Sequence, residues 1–207
     1  MSEHEKIMEV ELLSMTPNAE QVIEEAGRTA YQSFDKMTDE SSAKFISMLV
    51  KRGHTSVLEH AVATFRIKNV SRAFSHQLVR HRLASYTQKS QRYVNESEFD
   101  FVVPDSIKNN REANSEAYYV FLYTMDYINN SYIKLKVLGV ANEDARFVLP
   151  NACTTEIVVT ANFREWRHII SLRTDKAAQW EIRRVCKVIF DILNNRAPSC
   201  FGDLKME

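Results

Sequence analysis

The chain has 207 residues, 44% of them apolar and 26% charged, with 27 basic against 27 acidic side chains. That length suits one domain at roughly 100–200 residues each, the apolar share excludes a disordered or collagen-like chain, and the zero balance predicts no general affinity for nucleic acid or an anionic membrane. Its four glycines, Gly27, Gly53, Gly139 and Gly202, stand too far apart for a GxGxxG turn or a P-loop, so a nucleotide must be held another way.

Thr16-Pro17 supplies an N-cap and a first-turn proline, predicting a helix through about Tyr31 with Val22, Ile23, Ala26 and Ala30 inward. A second helix is expected from about Thr38 to the Gly53 stop, with Ile46, Leu49 and Val50 in its stripe. Ala61 to Lys68 then alternates with period two, as a half-buried strand does, and a short helix follows from about Ser71. Phe99 to Val103 reads as a further strand closed by Pro104, and Ser106 to Leu138 as mostly helix, rich in tyrosine and ended by Gly139. Asn142 suits the cap of a short helix reaching Arg146. The β-branched run Thr154 to Thr160 predicts a strand, Asn162 with Glu165 a capping box for a helix to Arg173, and Asp175 the cap of a last helix ending near Asn195. These elements make a helix-rich α+β fold, a single domain over 1–207 with a central antiparallel or mixed sheet flanked by helices.

Cys153, Cys186 and Cys200 form no CxxC pair, which fits a reducing compartment. No apolar run approaches the ~20 residues of a membrane span, and MSEHEKIMEVE is not a signal sequence, so the expected location is the cytoplasm.

Charge is uneven along the chain. From His60 to Asn95 there is no acid, while Arg66, Lys68, Arg72, Arg80, Arg82, Lys89 and Arg92 contribute seven of the 27 cations, leaving 20 basic and 27 acidic residues elsewhere. Such a window is a candidate anion site. On a helical wheel Ala73, His76, Gln77 and Arg80 share one stripe, with Phe74, Leu78 and His81 facing the core, so Gln77 and Arg80 are placed to grip one ligand. The following Ser85 to Arg92 offers hydroxyls, amides and cations, with Ser90 and the Arg92 fork suited to phosphate. In the helix after Asn162, Arg164, Arg167, His168 and Ser171 form the polar stripe, whereas Arg173 falls on the side of Trp166, Ile169 and Ile170. It either snorkels at the last turn or holds a ligand against the core. His76 and His81, and His54 with Glu59 and His60, lack metal-site spacing, so no metal is expected. Cys153 has no activating neighbour and reads as a small core residue.

The string RHRLASYTQKSQRY, from Arg80 to Tyr93, resembles the signature of the flavin-dependent thymidylate synthases. RGHTSVLEH at 52–60, RFVLPNA at 146–152 and NFREWRHIISLR at 162–173 follow in the same order and similar spacing. The resemblance implies reductive methylation of dUMP to dTMP, with methylenetetrahydrofolate as carbon donor, NADPH as reductant and FAD as carrier of the hydride. It assigns dUMP to Gln77, Arg80, Gln88, Lys89, Ser90, Gln91, Arg92, Arg146 and Arg173, with Arg173 the catalytic residue at the uracil. It assigns FAD to Ser56, Arg80, His81, Arg82, Gln88, Asn162, Arg164 and His168. It further implies a homotetramer with shared active sites and no enzyme cysteine in the chemistry. Ala30, Thr87-Gln88 and Ala177 depart from the family pattern. A nucleic-acid-binding module using the basic 66–92 segment is the alternative.

Overall fold

The structure is a computed structural model and describes residues 6–108 and 116–206. Its sheet has the order β1 (Glu9–Met15), β2 (Val62–Ser71), β4 (Thr154–Asn162), β3 (Ala84–Gln88) and is antiparallel, within a helix-rich α+β fold. The chain divides into two compact units, one of residues 1–9, 67–77 and 87–157 and the other of 10–66, 78–86 and 158–207.

The second unit contains helices α1 (Ala19–Thr29), α2 (Ser41–Lys51), α7 (Phe163–Arg173), α8 (Trp180–Arg196) and α9 (Pro198–Phe201). Alternation along β2 sends Ala63 and Phe65 inward at no exposure, as expected. Phe65 meets Trp166 of α7 edge-on at 5.1 Å, and the Trp166 indole N–H donates to the Ala63 carbonyl at 3.0 Å. Thus α7 is locked against the sheet by one large ring whose polar atom is satisfied. Asn162 Oδ1 accepts from the Glu165 N–H at 2.8 Å, the cap its spacing predicted.

Several boundaries differ from expectation. Thr16 does not cap α1: its Oγ1 accepts from the Val62 N–H at 2.9 Å, and the helix starts three residues later behind Asn18, in the left-handed region at φ 48°. Ala30 lies beyond its end and is exposed. The inward face of α1 instead carries an ion pair, Arg28 to Glu24 at 2.7 Å, with both residues buried and the Ser41 hydroxyl donating to Glu24. Gly27 is required beside it, because a Cβ there would meet the Phe45 ring at 2.6 Å. Helix α2 starts at Ser41, not Thr38, whose N–H donates to Ser41 Oγ at 2.9 Å. Asp175 does not cap α8: it accepts from Ala177 N in a turn, and Gln179 Oε1 accepts from Glu181 N at 2.9 Å and Ile182 N at 3.2 Å.

The first unit contains α3 (Arg72–Leu78, its last residue in the other unit), α4 (Asp105–Lys108), α5 (Glu116–Val137) and α6 (Asn142–Ala145). The stretch from Ser106 read as mostly helix holds two described helices, and residues 109–115 lie outside the described ones. Gly139 follows α5 at φ +85° and Gly53 follows α2 at φ +76°, the conformation that only glycine takes without strain. Asn142 is the first residue of α6, behind Ala141, and its side chain makes no cap bond. Phe99 to Val103 is not a strand. It makes one bridge, Phe101 to Cys153, and its apolar side chains bury in a cluster with Met125 and Cys153. The left-handed Glu98 and Pro104 on either side leave too little extended chain for a ladder. No described helix is long and apolar enough to cross a membrane.

Candidate functional site

Helix α3 stops at Leu78 because the following turn takes its carbonyl: the His81 N–H reaches Leu78 O at 3.2 Å, and the Tyr86 hydroxyl lies 2.9 Å from both Leu78 O and His81 O. Arg80, His81, Arg82 and Leu83 therefore project from a turn, and Gln77 with Arg80 is not one helical stripe. The inward half of that expectation holds, since Phe74, Leu78 and His81 are buried.

In the second unit this turn meets the start of α7. Arg80, His81, Arg82, Asn162, Arg164 and His168 line one cleft of about 700 Å³, together with Glu59, Leu83 and Glu165. The capped start of α7 sets Arg164 and His168 four residues apart on one face. Arg164 reaches Glu59 Oε1 at 2.6 Å, in a pair about half exposed on both sides. Arg80 and Arg82 are exposed and form no ion pair among the described residues. A cleft presenting two unneutralised forks suits an anionic ligand.

At the cleft's inner wall His81 is buried, and its Nε2 accepts from Arg173 Nε at 3.0 Å. Burial, the Arg173 cation and then His168 push its pKa down from 6.5 to about 4, so the ring is neutral at physiological pH. Its Nδ1 lies 3.6 Å from Glu165 Oε1, a carboxyl whose own pKa is raised by burial. Arg173 thus has a built acceptor on the apolar side of α7.

The other expected anion-binding residues lie in the first unit. Arg92 contacts Glu143 Oε2 through Nε at 3.3 Å and Nη2 at 3.2 Å, and Arg146 Nε donates to the Glu143 carbonyl at 3.1 Å. The Ser90 hydroxyl accepts from the Arg92 N–H at 3.3 Å. Lys89 instead pairs with buried Glu96 at 2.9 Å, and its N–H donates to Glu156 O. Gln91 is buried and donates to Cys153 Sγ at 3.6 Å, while Gln88 donates to Ser75 Oγ at 2.8 Å and Thr155 Oγ1 at 3.1 Å. Gln77 donates to Ala73 O at 3.4 Å. Ser56 is exposed in the 3₁₀ turn 55–60 and does not line the cleft. Cys153 is a buried core residue whose thiol burial pushes up to about 12, so it carries no thiolate at neutral pH. Arg72, half-buried, donates to Lys89 O at 3.3 Å and supports this loop.

Nothing local in the sequence marks Glu59 or Glu165 as facing this cleft. Both stood in the quoted motifs, and only the fold reveals that they face cations and imidazoles.

A family model described as thymidylate synthase complementing protein matches residues 11–199. The flavin-dependent thymidylate synthase of Geobacter sulfurreducens is 43% identical over 204 residues, 95% of this chain and 86% of its own. That of Corynebacterium efficiens is 37% identical over 208 residues, 91% of this chain and 81% of its own. The crystal structure of Thymidylate Synthase X from Helicobacter pylori with FAD and dUMP is similar at a TM-score of 0.79 and 26% identity, covering 96% of this chain and 99% of that one.

Proposed function

The chain belongs to the thymidylate synthase complementing protein family, and we infer that it is a flavin-dependent thymidylate synthase converting dUMP to dTMP. Methylenetetrahydrofolate supplies the carbon and NADPH the reducing equivalents. The observation that carries the reading is the cleft in which Arg80 and Arg82 stand, without carboxylate partners among the described residues, beside Arg164 and His168. The cationic, open cleft fits a dinucleotide's phosphates without any glycine-rich loop. Arg80, His81, Arg82, Asn162, Arg164 and His168 would hold FAD there, with Ser56 and Gln88 assigned to it by the family resemblance alone. When bound, FAD supplies the hydride that turns a transferred methylene into a methyl group.

The chain's own part is positional and electrostatic. Arg173, held by His81, stabilises negative charge that develops on the uracil ring as its C5 attacks the folate methylene. Ser90, Arg92 and Arg146 bind the dUMP phosphate, Gln77, Arg80, Gln88 and Gln91 its sugar and phosphate edge, and Lys89 shapes the loop. The family match runs through both units, which supports one thymidylate synthase domain. We extend the reading to a cytoplasmic homotetramer with shared sites, which mass measurement in solution tests.

Nucleic-acid binding by the 66–92 segment is not favoured. Four of its seven cations face carboxylates: Arg66 meets Glu11, Lys68 meets Glu9, Lys89 meets Glu96 and Arg92 meets Glu143.

The purified protein is expected to be yellow, to bleach with NADPH, and to release tritium from C5-labelled dUMP only when folate is present. A colourless protein that FAD cannot reconstitute overturns the reading.

A further inference from the structure

We propose that Glu96 is a positioning residue for the dUMP phosphate: by gripping Lys89 it fixes the turn from which Ser90 and Arg92 reach that group. The inference rests on the assignment of Ser90 and Arg92 to the phosphate and extends it to a buried carboxylate behind them.

The chain of contacts starts on α5. Tyr132, fully buried, accepts the Glu96 N–H on its hydroxyl oxygen at 3.2 Å, and Asn129, three residues before it, accepts the Glu98 N–H at 2.9 Å. Residues three apart share a helix face, so α5 holds the segment 96–98 at two points. From there the Glu96 carboxylate reaches Lys89, whose ammonium lies 2.9 Å from Oε1 and 3.0 Å from Oε2. Both oxygens face one cation, and the acid side chain is only 4% exposed.

Lys89 is held at its backbone as well. Its N–H donates to Glu156 O of β4 at 2.8 Å, and its carbonyl accepts from Arg72 at 3.3 Å. The contact between Lys89 and Glu96 thus joins residues seven apart, one fixed by the sheet and the other by α5. Between them the Tyr93 and Val94 N–H groups turn back to Ser90 O at 3.3 and 2.9 Å, and the Arg92 N–H donates to Ser90 Oγ at 3.3 Å. Ser90 and Arg92 therefore stand on one short turn closed at its base by an ion pair.

A buried ion pair is a poor way to gain stability, because apolar side chains of the same volume serve as well or better. What it adds is direction, since a carboxylate facing one ammonium with both oxygens admits few arrangements of the chain that carries them. Without that brace, each binding event would have to gather the Ser90 hydroxyl and the Arg92 fork around the phosphate. The brace settles that ordering in advance, so its effect falls on dUMP binding and not on the chemistry at the uracil.

The test is tritium release from C5-labelled dUMP by the full FAD-loaded enzyme, with folate and NADPH saturating and dUMP varied. Glu96→Leu leaves a lysine that is 30% exposed and can turn to water, so the fold is expected to survive, which calorimetry of the same sample checks. Glu96→Leu is expected to raise KM for dUMP at least about tenfold with kcat within about twofold of wild type. Glu96→Gln keeps an acceptor for Lys89 and is expected to raise KM only about two- to threefold. In a Lys89→Met background, Glu96→Leu is expected to add less than about a twofold rise, because the grip acts through that lysine.

The sign of the change is decisive. A lower KM in Glu96→Leu overturns the proposal, because the released Lys89 is then itself a phosphate ligand. An unchanged KM, a loss carried by kcat alone, equal rises in the Leu and Gln variants, or an undiminished rise in the Lys89→Met background also overturns it. If Glu96→Leu does not fold, Glu96→Gln decides alone: an unchanged or lowered KM refutes the proposal. The underlying assignment is tested apart from Glu96, since a wild-type KM in the double variant Ser90→Ala, Arg92→Ala removes the phosphate from this turn.

Discussion

The burial of neutral His81 makes the stability of this protein fall in mild acid by an amount that can be worked out. The ring's pKa is pushed from 6.5 down to about 4, first by burial and then by Arg173 and His168. Because the folded value lies below the unfolded one, the unfolded chain takes up the proton first as pH falls. The stability present above pH 6.5 is therefore lost between about 6.5 and about 4, and fully lost below. The gap between those values, at about 1.36 kcal/mol per pH unit, is about 3 kcal/mol, with the steepest loss near the middle of the interval. His81 is only 5% exposed, so solvent screening takes little from that figure. Urea unfolding of flavin-free wild type and His81→Gln, at fixed protein concentration and a series of pH values from 7.5 to 4.5, isolates the term. The difference in unfolding free energy between the two should shrink by about 2 kcal/mol or more as pH falls, since glutamine takes up no proton. A difference that stays constant across the range refutes the reasoning, and so does an NMR titration placing the His81 midpoint at 6 or above.

Three other outcomes are expected. Arg28→Met leaves the Glu24 carboxylate buried with Ser41 as its remaining bonded partner, and should cost about 3–5 kcal/mol, seen as a fall in Tm of roughly 6–20 °C by calorimetry. Arg173→Ala should depress turnover about 10²–10³-fold while leaving flavin content near wild type, measured by tritium release against the flavin absorbance of the same sample. Arg82→Ala should weaken FAD binding about 10–100-fold, the value of one lost charge-assisted contact, in a flavin titration of stripped protein; unchanged affinity would remove Arg82 from the flavin site.

What the sequence made legible is what local chemistry determines. Asn162 and Glu165 announce the start of α7 because a cap is a three-residue event, and Gly53 and Gly139 announce helix ends because their backbones require positive φ. The alternation of Ala61, Ala63, Phe65 and Ile67 is equally local and proves buried throughout. The strands β1 and β3 carry no such local signal. EVELLSM and ASYTQ are short edge strands with half-exposed side chains, so neither shows the apolar run that marks a central strand. The spacing of Glu24 and Arg28, four apart, does not distinguish a surface pair from a buried one, and only the packing of Phe45 and Ser41 over them reveals their burial. At the cleft, Arg80, Arg82, Asn162, Arg164 and His168 stand in motifs whose order and spacing are visible in the sequence. The carboxylates opposite are not legible in this way, because an acid-free window describes neighbours in sequence, while Glu59 comes to Arg164 across 105 positions.

Pairing also ranks the cations as ligands for phosphate, which charge counting alone does not do. The Arg92 and Glu143 side chains are 52% and 51% exposed, and a pair so open is worth about 0–1 kcal/mol, so a phosphate that offers Arg92 two oxygens displaces Glu143 at little cost. Arg146 gives up only a bond to the Glu143 carbonyl and is equally releasable. Lys89 is different: its partner Glu96 is 4% exposed and would be stranded as a buried, unpaired carboxylate, a penalty of several kcal/mol that one lysine–phosphate contact does not repay. Lys89 therefore holds the loop that carries Ser90 and Arg92, and its positive charge is consumed by the protein. Arg80 and Arg82 have no carboxylate to give up among the described residues, so their forks are available to a ligand in the cleft. A formal balance of zero is in this way compatible with a strong local anion site, because acids neutralise the cations that shape the fold and leave Arg80 and Arg82 at the cleft without a carboxylate among the described residues.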